Sequence, residues 1–271
     1  MIIDSQRITL DTKSEHVHGH GVGDHLYVHK HSIVHDLPAQ VKVVAAIGFI
    51  FIVVLTPVHA VWAFALYLSM MFMVVGLAKL HFPLVLRRML IEIPFVIFAV
   101  LMPFFGSAPR IEVLGISLSE AGLWAAFGIL AKGTIGVITS VTLAATTRAR
   151  DLLQGLEAIR VPAVLIQIAT FMLRYSAVVT NDLVRMKVAR ESRGFSATGI
   201  KHWKVLAHSA GALFIRSYER GERVHLAMLA RGYNGTIIDL YKPTVVRRDW
   251  LIALILPVLA ITIMMIAWVT L

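Results

Sequence analysis

Long apolar runs separated by short polar links dominate this chain. A helix needs about 20 residues to cross roughly 30 Å of hydrocarbon, and five segments are apolar enough to do so. They are Val41–Thr56, His59–Leu77, Leu90–Gly106, Leu118–Ala145 and Trp250–Leu271. The third contains Pro94 and Pro103, which predicts packing against neighbouring helices, because irregular backbone at membrane depth must be covered by protein. The pattern predicts an all-α, polytopic membrane protein with about five transmembrane helices.

The same pattern divides the chain into four parts. Residues 1–40 form a polar tail in which seven of the twelve histidines fall between His16 and His35. Residues 41–145 hold four transmembrane helices, residues 146–249 a set of amphipathic cytoplasmic helices, and residues 250–271 the C-terminal transmembrane helix. The tail is too polar to bury a core of its own.

The region 146–249 has helical periodicity with breaks at Val161–Pro162, at residues 194–199 and at residues 232–235. We expect several helices at or below the cytoplasmic membrane face. Leu165–Tyr175 is apolar enough to dip into the bilayer. An additional hairpin near residues 162–180 is therefore an alternative that would change the number of spans.

Composition agrees with the membrane class. The chain is 58% hydrophobic and 15% charged, whereas soluble domains have about a quarter of their residues charged. It contains no cysteine, which excludes disulfides, thiolate zinc sites, iron–sulfur clusters and a cysteine nucleophile. The first 40 residues lack the apolar core of a signal peptide, so we expect the first span to direct insertion.

Lysine and arginine in the short loops predict the orientation, because cytoplasmic loops are enriched in them. Basic residues precede the first span, follow the second and fill residues 146–249, whereas the other two links hold one, Arg110. The N-terminus and the region 146–249 are therefore expected in the cytoplasm, and the C-terminus outside. The predicted location is a bacterial inner (plasma) membrane.

The region 146–249 has 17 basic and 8 acidic residues, a formal charge of +9 out of +10 for the chain. Topology and contact with anionic lipid headgroups are one sufficient explanation. The basic residues follow membrane-adjacent helices without a nucleic-acid-binding motif, so no nucleic-acid partner is expected.

Two short segments of this basic region repeat one another. Each is a helical run that ends in a small residue, Arg, Gly and an aromatic residue: Ser192-Arg193-Gly194-Phe195 and Ala230-Arg231-Gly232-Tyr233. Glycine just after the last turn can take the left-handed conformation that closes a helix, and arginine complements the negative end of the helix dipole. Ordinary helix caps would look the same. Two copies 38 residues apart favour a shared role, since a guanidinium at a helix tip can bind a carboxylate in a partner's groove.

The paired signatures resemble those of the transmembrane T component of energy-coupling factor transporters, in particular the CbiQ branch associated with cobalt uptake. That family carries two Ala-Arg-Gly signatures on two coupling helices. The second is intact here as Ala230-Arg231-Gly232, and the first has serine in place of alanine, as Ser192-Arg193-Gly194. Further similar positions are Arg220, Glu222, Ala227, Met228, Asp36-Leu37-Pro38, Lys42, Thr146-Thr147, Asp151-Leu152, Val161-Pro162 and Arg174-Tyr175.

The resemblance implies a mechanism and a set of partners. Two ATP-binding-cassette ATPase subunits, similar to CbiO, would take up the coupling helices in surface grooves and bind the ATP and Mg. A separate membrane subunit that captures the substrate, similar to CbiM and often with a small CbiN-like partner, would then reorient. The chain itself has no G-x-x-x-x-G-K-[ST] loop, so ATP hydrolysis is expected from another chain and no cofactor is expected on this one.

Other polar residues have competing interpretations. His16, His18 and His20 have alternate spacing that could hold a transition metal weakly, although a solvated tail is the favoured interpretation and no metal site is predicted. Lys132 lies near the middle of the fourth span, where a charge is usually paired or functional. It could face the substrate-binding subunit or bond to Thr134 and Thr139.

Three function classes remain open on the sequence alone. The first is the T component, for cobalt or alternatively for nickel or a vitamin. The second is a stand-alone secondary transporter, which should show repeated halves and midplane charges. The third is an intramembrane enzyme, for which no H-E-x-x-H or similar constellation is present. The first class is the prediction, and it makes the chain a non-catalytic subunit.

Overall fold

The computed structural model describes residues 27–28, 30, 32–80, 82–105, 110–113, 116–195, 202–235 and 245–270. Within these residues the fold is all-α, as predicted, apart from one short β-hairpin. The helices are α1 (Ile33–Asp36), α2 (Ala39–Leu55), α3 (Val61–Leu77), α4 (Phe82–Arg88), α5 (Ile93–Phe105), α6 (Glu120–Thr146), α7 (Ala149–Ala158), α8 (Ala163–Glu191), α9 (Trp203–Leu229) and α10 (Arg247–Val269). A 3-10 turn, Met89–Glu92, joins α4 to α5.

Four of the predicted spans agree with α2, α3, α6 and α10 to within three residues at each end. The third span differs, because its helix begins earlier and continues from α4 through the 3-10 turn into α5. Pro103 lies buried inside α5, as expected, whereas Pro94 is exposed, so the packing predicted at the prolines is found at Pro103 and not at Pro94. Of the described helices, four are long and apolar enough to cross a membrane: Val85–Phe105, α6, α8 and α10; α2 and α3 are apolar but have 17 residues each.

The link between the third and fourth spans forms the hairpin. Strands β1 (Arg110–Val113) and β2 (Ile116–Ser119) pair antiparallel, with Arg110 opposite Ser119. The fourth span therefore begins at Glu120 and not at Leu118. Ser119 caps α6, because its hydroxyl accepts a hydrogen bond from the Gly122 backbone N–H at 3.2 Å.

The membrane helices enclose one main apolar core. Phe49, Tyr67, Met71, Ile135 and Ile138 are its largest buried side chains. The Tyr67 hydroxyl donates to the Ala260 carbonyl at 3.2 Å and lies 3.0 Å from the Thr56 hydroxyl. This buried polar group is thus satisfied, and it links α3 to α10.

The end of the predicted tail packs against the helices. The Val28 backbone N–H donates to the Ala145 carbonyl at 3.0 Å, and the Arg148 guanidinium lies 5.1 Å from the centre of the Tyr27 ring. The Ser32 hydroxyl caps α1 by accepting from the His35 N–H. From Tyr27 onward, the described residues of this segment therefore pack against the helices.

Candidate functional site

A tight joint connects the membrane helices to the region 146–249. Helix α7 packs across the start of α2 at Gly155, where a β-carbon would lie 2.7 Å from the Gln40 backbone nitrogen and 2.9 Å from the Ala39 carbonyl carbon. No side chain fits at that distance. The absence of a β-carbon at Gly155 therefore lets two helix backbones meet where the membrane bundle ends.

Lys42 lies in the same joint and is 8% exposed. Its Nζ donates to the His35 carbonyl at 3.0 Å and to the Thr146 carbonyl at 2.9 Å. Thr146 is the last residue of α6, where carbonyls have no partner inside the helix. The lysine thus satisfies a helix end and links α1, α2 and α6. Several positions that carry the family resemblance, among them Asp36, Lys42, Thr146 and Asp151, line one cavity here.

Beyond the joint, α8 runs without interruption from Ala163 to Glu191. Residues 163–180 therefore contain no hairpin turn, but α8 as a whole is among the helices long and apolar enough to cross a membrane, so the number of spans stays a prediction. Ile166 is the one buried residue of α8, so the helix is anchored near its beginning and is largely exposed along the rest of its length.

Helices α8 and α9 form an antiparallel pair. Arg220 donates to the Asp182 carboxylate at 3.0 Å in the middle of the pair, and Tyr233, which follows α9, donates to Gln167 near the beginning of α8 at 2.7 Å. These contacts run in opposite directions along the two helices. The Arg231 end consequently lies level with the first turns of α8, roughly 35 Å along the helix axis from the Arg193 end, at 1.5 Å per residue.

The first signature closes α8 with a Schellman motif. The Phe195 N–H donates to the Arg190 carbonyl at 3.1 Å and the Gly194 N–H to the Glu191 carbonyl at 2.9 Å. Gly194 has φ +74°. These two bonds and the left-handed glycine define the motif.

The second signature repeats this geometry at the end of α9. The Tyr233 N–H donates to the Met228 carbonyl and the Gly232 N–H to the Leu229 carbonyl, both at 3.0 Å. Gly232 has φ +83°, and the preceding Ala230 has the same backbone angles as Ser192, φ −62° and ψ −20°. The cap conformation predicted for both signatures is confirmed, and the two tips are alike in backbone geometry.

Glycine is required at both tips by backbone conformation. A β-carbon at Gly194 or Gly232 would meet nothing within 4 Å, so space is no constraint, whereas a positive φ is costly for other residues. Arg193 and Arg231 are exposed, and no salt bridge of the described residues includes either of them. Each tip thus presents a positive charge at the negative end of a helix, open to a partner surface.

Lys132 lies among the membrane helices, away from the two tips. It is half-buried in α6, and its Nζ donates to the Val54 carbonyl at 2.7 Å. Val54 lies in the last turn of α2, where carbonyls lack helical partners. The predicted bonds to Thr134 and Thr139 are not the ones formed, since these hydroxyls donate to Glu92 and to the Ile135 carbonyl.

Sequence reasoning did not identify the buried contact of Glu92. The side chain is 4% exposed and accepts from the Thr134 hydroxyl at 2.8 Å. Gly133 leaves room for the carboxylate, because a β-carbon there would lie 3.0 Å from Glu92 Oε1. The periodicity of each helix alone does not show this contact. The available signal in the sequence is the carboxylate of Glu92 in one apolar run and the neighbouring Gly133 and Thr134 in another.

The histidines His16, His18 and His20 lie outside the described residues, so the weak metal candidate stays a prediction. Among the described part of the chain, no group of three or more His, Asp or Glu residues is arranged to hold a metal ion.

Comparisons with known proteins extend over much of the chain. Residues 30–240 match the model of the family CbiQ, described as cobalt transport protein. The chain is 31% identical to the cobalt transport protein CbiQ of Rhodobacter capsulatus, over 45% of this chain and 50% of that protein. It is 26% identical to the energy-coupling factor transporter transmembrane protein EcfT of Staphylococcus aureus, over 78% of this chain and 83% of that protein.

An uncharacterized protein of Methanocaldococcus jannaschii is 32% identical over 49% of this chain and 46% of that protein. A second protein of that organism is also 32% identical, over 53% of its own length. The chain thus spans about half the length of several curated relatives that it matches.

Proposed function

Because the chain belongs to the CbiQ family of cobalt transport proteins, the transmembrane T components of energy-coupling factor transporters, we propose that it couples ATP hydrolysis by partner subunits to the import of a substrate. The chain itself is a membrane protein and has no catalytic role in this proposal. Its two Arg-Gly helix tips are the points at which the ATPase subunits act.

The observation that carries the proposal is the duplication of one exposed tip. Arg193 and Arg231 sit at the same position of two identical Schellman caps, roughly 35 Å apart along α8. Two tips with the same backbone geometry can fit the same kind of surface groove on two like subunits. Each tip is therefore proposed to enter one of two CbiO-like ATPase subunits. Each guanidinium would bond an acidic group in its groove, and the adjacent glycine would keep the surface next to it flat.

The ATP and its Mg are proposed to be held by those ATPase subunits. Movement of the grooves would be passed along α8 and α9 to the joint at Gly155 and Lys42, and from there to the membrane helices. The membrane helices would pass this movement to a CbiM-like substrate-binding membrane subunit, which is accompanied by a small CbiN-like subunit. Cobalt ions are the proposed substrate, supported by the family description, with nickel or a vitamin as the alternative.

The proposed orientation places the N-terminus and the helices α7–α9 in the cytoplasm and the C-terminus outside, in a bacterial inner membrane. The support is the distribution of basic residues, with +9 of the formal charge of +10 between Thr146 and Asp249. Contact of this region with anionic lipid headgroups fits the same charge.

Charge reversal at the tips tests the proposal. Arg193→Glu, Arg231→Glu and the double variant would be co-expressed with the ATPase and substrate-binding subunits, and co-purification and radioactive cobalt uptake would be measured. Loss of one member of a desolvated interfacial pair costs about 2–5 kcal/mol, so each single variant should weaken ATPase binding by roughly 30-fold or more.

Arg185→Glu on α8 and Arg216→Glu on α9 are matched controls, because both residues are exposed and lie on the same helices away from the tips. They change the net charge equally and should retain assembly and uptake. If the double variant assembles and imports like the controls, the tips are not the coupling site. Uptake by the purified chain without any ATPase subunit would instead indicate a secondary transporter.

A further inference from the structure

The two tips have the same caps but different attachments to the rest of the protein. We propose that Gln167 is a positioning residue that fastens the second tip, at Arg231, to the anchored end of α8, so that the two tips pass on motion by different routes. The inference rests on the proposed function of the tips as coupling points.

Both polar atoms of the Gln167 side chain are engaged. Its Nε2 donates to the Gly235 carbonyl at 2.7 Å, and its Oε1 accepts from the Tyr233 hydroxyl at 2.7 Å. A carbonyl can only accept, so the amide orientation is determined by these two partners. One side chain thereby holds two points of the turn that follows Arg231 and Gly232.

The turn is shaped to receive this side chain. Gly235 has φ +95°, which aims its carbonyl in a direction that other residues rarely allow. Tyr233 is half-buried, and its ring lies edge-on to His225 with 6.5 Å between the ring centres. The aromatic residue of the second signature therefore serves as a hydrogen-bond donor toward α8 as well as closing its own helix.

Gln167 sits at the best-supported point of α8. It follows Ile166, the one buried residue of that helix, and lies one turn after Pro162, where α7 leads into α8. Helix α7 in turn packs against α2 through Gly155. An unbroken series of contacts therefore runs from the Arg231 tip through Gln167 to the membrane bundle.

The first tip has no comparable attachment among the described residues. The Phe195 ring lies edge-on to His202 at 5.1 Å, and both residues belong to the connection between α8 and α9. Residues 192–195 make no described hydrogen bond to another helix. Through the contacts of the described residues, motion of Arg193 reaches the base of α8 along the helix itself or across the Asp182–Arg220 ion pair, whereas motion of Arg231 enters there directly.

A variant that removes this attachment should leave both caps and both arginines in place. Gln167→Met keeps the length of the side chain and removes both hydrogen bonds. In the full complex, reconstituted in liposomes, we expect unchanged retention of the ATPase subunits and a lower ratio of substrate imported to ATP hydrolysed. Loss of one or two ordinary hydrogen bonds corresponds to roughly a three- to tenfold effect.

Three further variants separate positioning from plain destabilisation. Tyr233→Phe should lower the same ratio, and combined with Gln167→Met it should add little, because the hydrogen bond that it removes is one of the two already lost in Gln167→Met. Gln167→Glu retains the acceptor for Tyr233 and should recover part of the ratio. Tyr218→Phe is the matched control, since Tyr218 is exposed on α9, and it should behave like the unmodified chain. A wild-type ratio in Gln167→Met would overturn the inference.

A distance measurement tests the attachment without any partner. The chain has no cysteine, so two introduced cysteines can carry spin labels at Val164 and Leu229, both exposed. We expect a narrow distance distribution that broadens with Gln167→Met, and an unchanged distribution would contradict the proposal. Failure of the wild-type chain to retain ATPase subunits would contradict the proposed function. The distance measurement would still show whether Gln167 holds the turn after Arg231 against α8.

Discussion

The ammonium of Lys42 lies 2.9 Å from the carbonyl of Thr146, although 104 residues separate them along the chain. The same ammonium bonds the carbonyl of His35. One buried cation therefore closes the end of α6 at the point where the membrane helices give way to α7. This arrangement makes Lys42 the first residue whose replacement should be informative.

Lys42→Met should destabilise the protein. The methionine fills a similar volume but leaves two carbonyls without this donor, and the loss at the buried Thr146 carbonyl alone should cost about 1–3 kcal/mol. We expect a lower Tm for the purified chain in detergent and weaker uptake. Lys204→Met is the control, because Lys204 is exposed on α9, and equal melting temperatures for the two variants would contradict the structural role of Lys42.

Gly155→Ala should disturb the contact between α7 and α2. The new β-carbon would lie 2.7 Å from the Gln40 nitrogen, and overpacking of this kind costs about 1–3 kcal/mol. Gly211→Ala is a matched change in the middle of α9, where a β-carbon meets nothing within 4 Å. It should be neutral or stabilise by up to about 1 kcal/mol, since alanine favours helix more than glycine does. Thermal unfolding of both variants would check the contrast.

Thr134→Val should weaken the packing of α6 against the 3-10 turn. Valine keeps the shape and removes the donor to Glu92, which is 4% exposed. A loss of about 1–3 kcal/mol is expected for a buried acceptor deprived of its partner. Thr180→Val is the comparison, because that hydroxyl is exposed and bonds its own helix. Similar stabilities of the two variants would show that the Glu92 contact contributes little.

Lys132→Met should separate a structural role from a functional one. The lysine supplies a hydrogen-bond donor and a positive charge to the C-terminal end of α2. Both stabilise a helix end, where carbonyls lack helical partners and the helix dipole is negative. If that is its whole role, the variant should lose about 1–2 kcal/mol of unfolding free energy and melt at a lower temperature, while uptake per folded complex is retained. Loss of uptake at unchanged stability would instead favour contact with the substrate-binding subunit, as predicted from the charge at that depth.

Single cysteines at the two ends of the chain would determine the topology. Labelling of intact cells with a membrane-impermeant maleimide should modify a cysteine at Leu271 and spare one at Ser5, because five spans place the termini on opposite sides. A cysteine at Arg110 should also react. Protection of the C-terminal cysteine would mean an even number of spans, with α8 crossing the membrane as its length and composition allow.

Features that depend on local sequence were predictable. Apolar runs located α2, α3, α6 and α10, and the Arg-Gly signatures predicted both helix caps, because a cap is determined by about six consecutive residues. Contacts between distant segments were not predictable. The bonds of Lys42 and Lys132 to helix ends, the Glu92–Thr134 pair and the Gln167 attachment each depend on which helices become neighbours, and periodicity within one helix carries no such information.

The bonds of each helix cap run within a very short stretch, from Val188 to Phe195 at the first tip and from Leu226 to Tyr233 at the second. None of these cap bonds involves a residue of the membrane helices, and the first tip has no Gln167-like attachment among the described residues, so we expect its cap to persist outside the protein. A stapled peptide copied from the end of α8 should therefore keep the cap and compete for an ATPase groove. In that sense the first tip is a recognition element separable from its protein, from which soluble inhibitors of transporter assembly could be built.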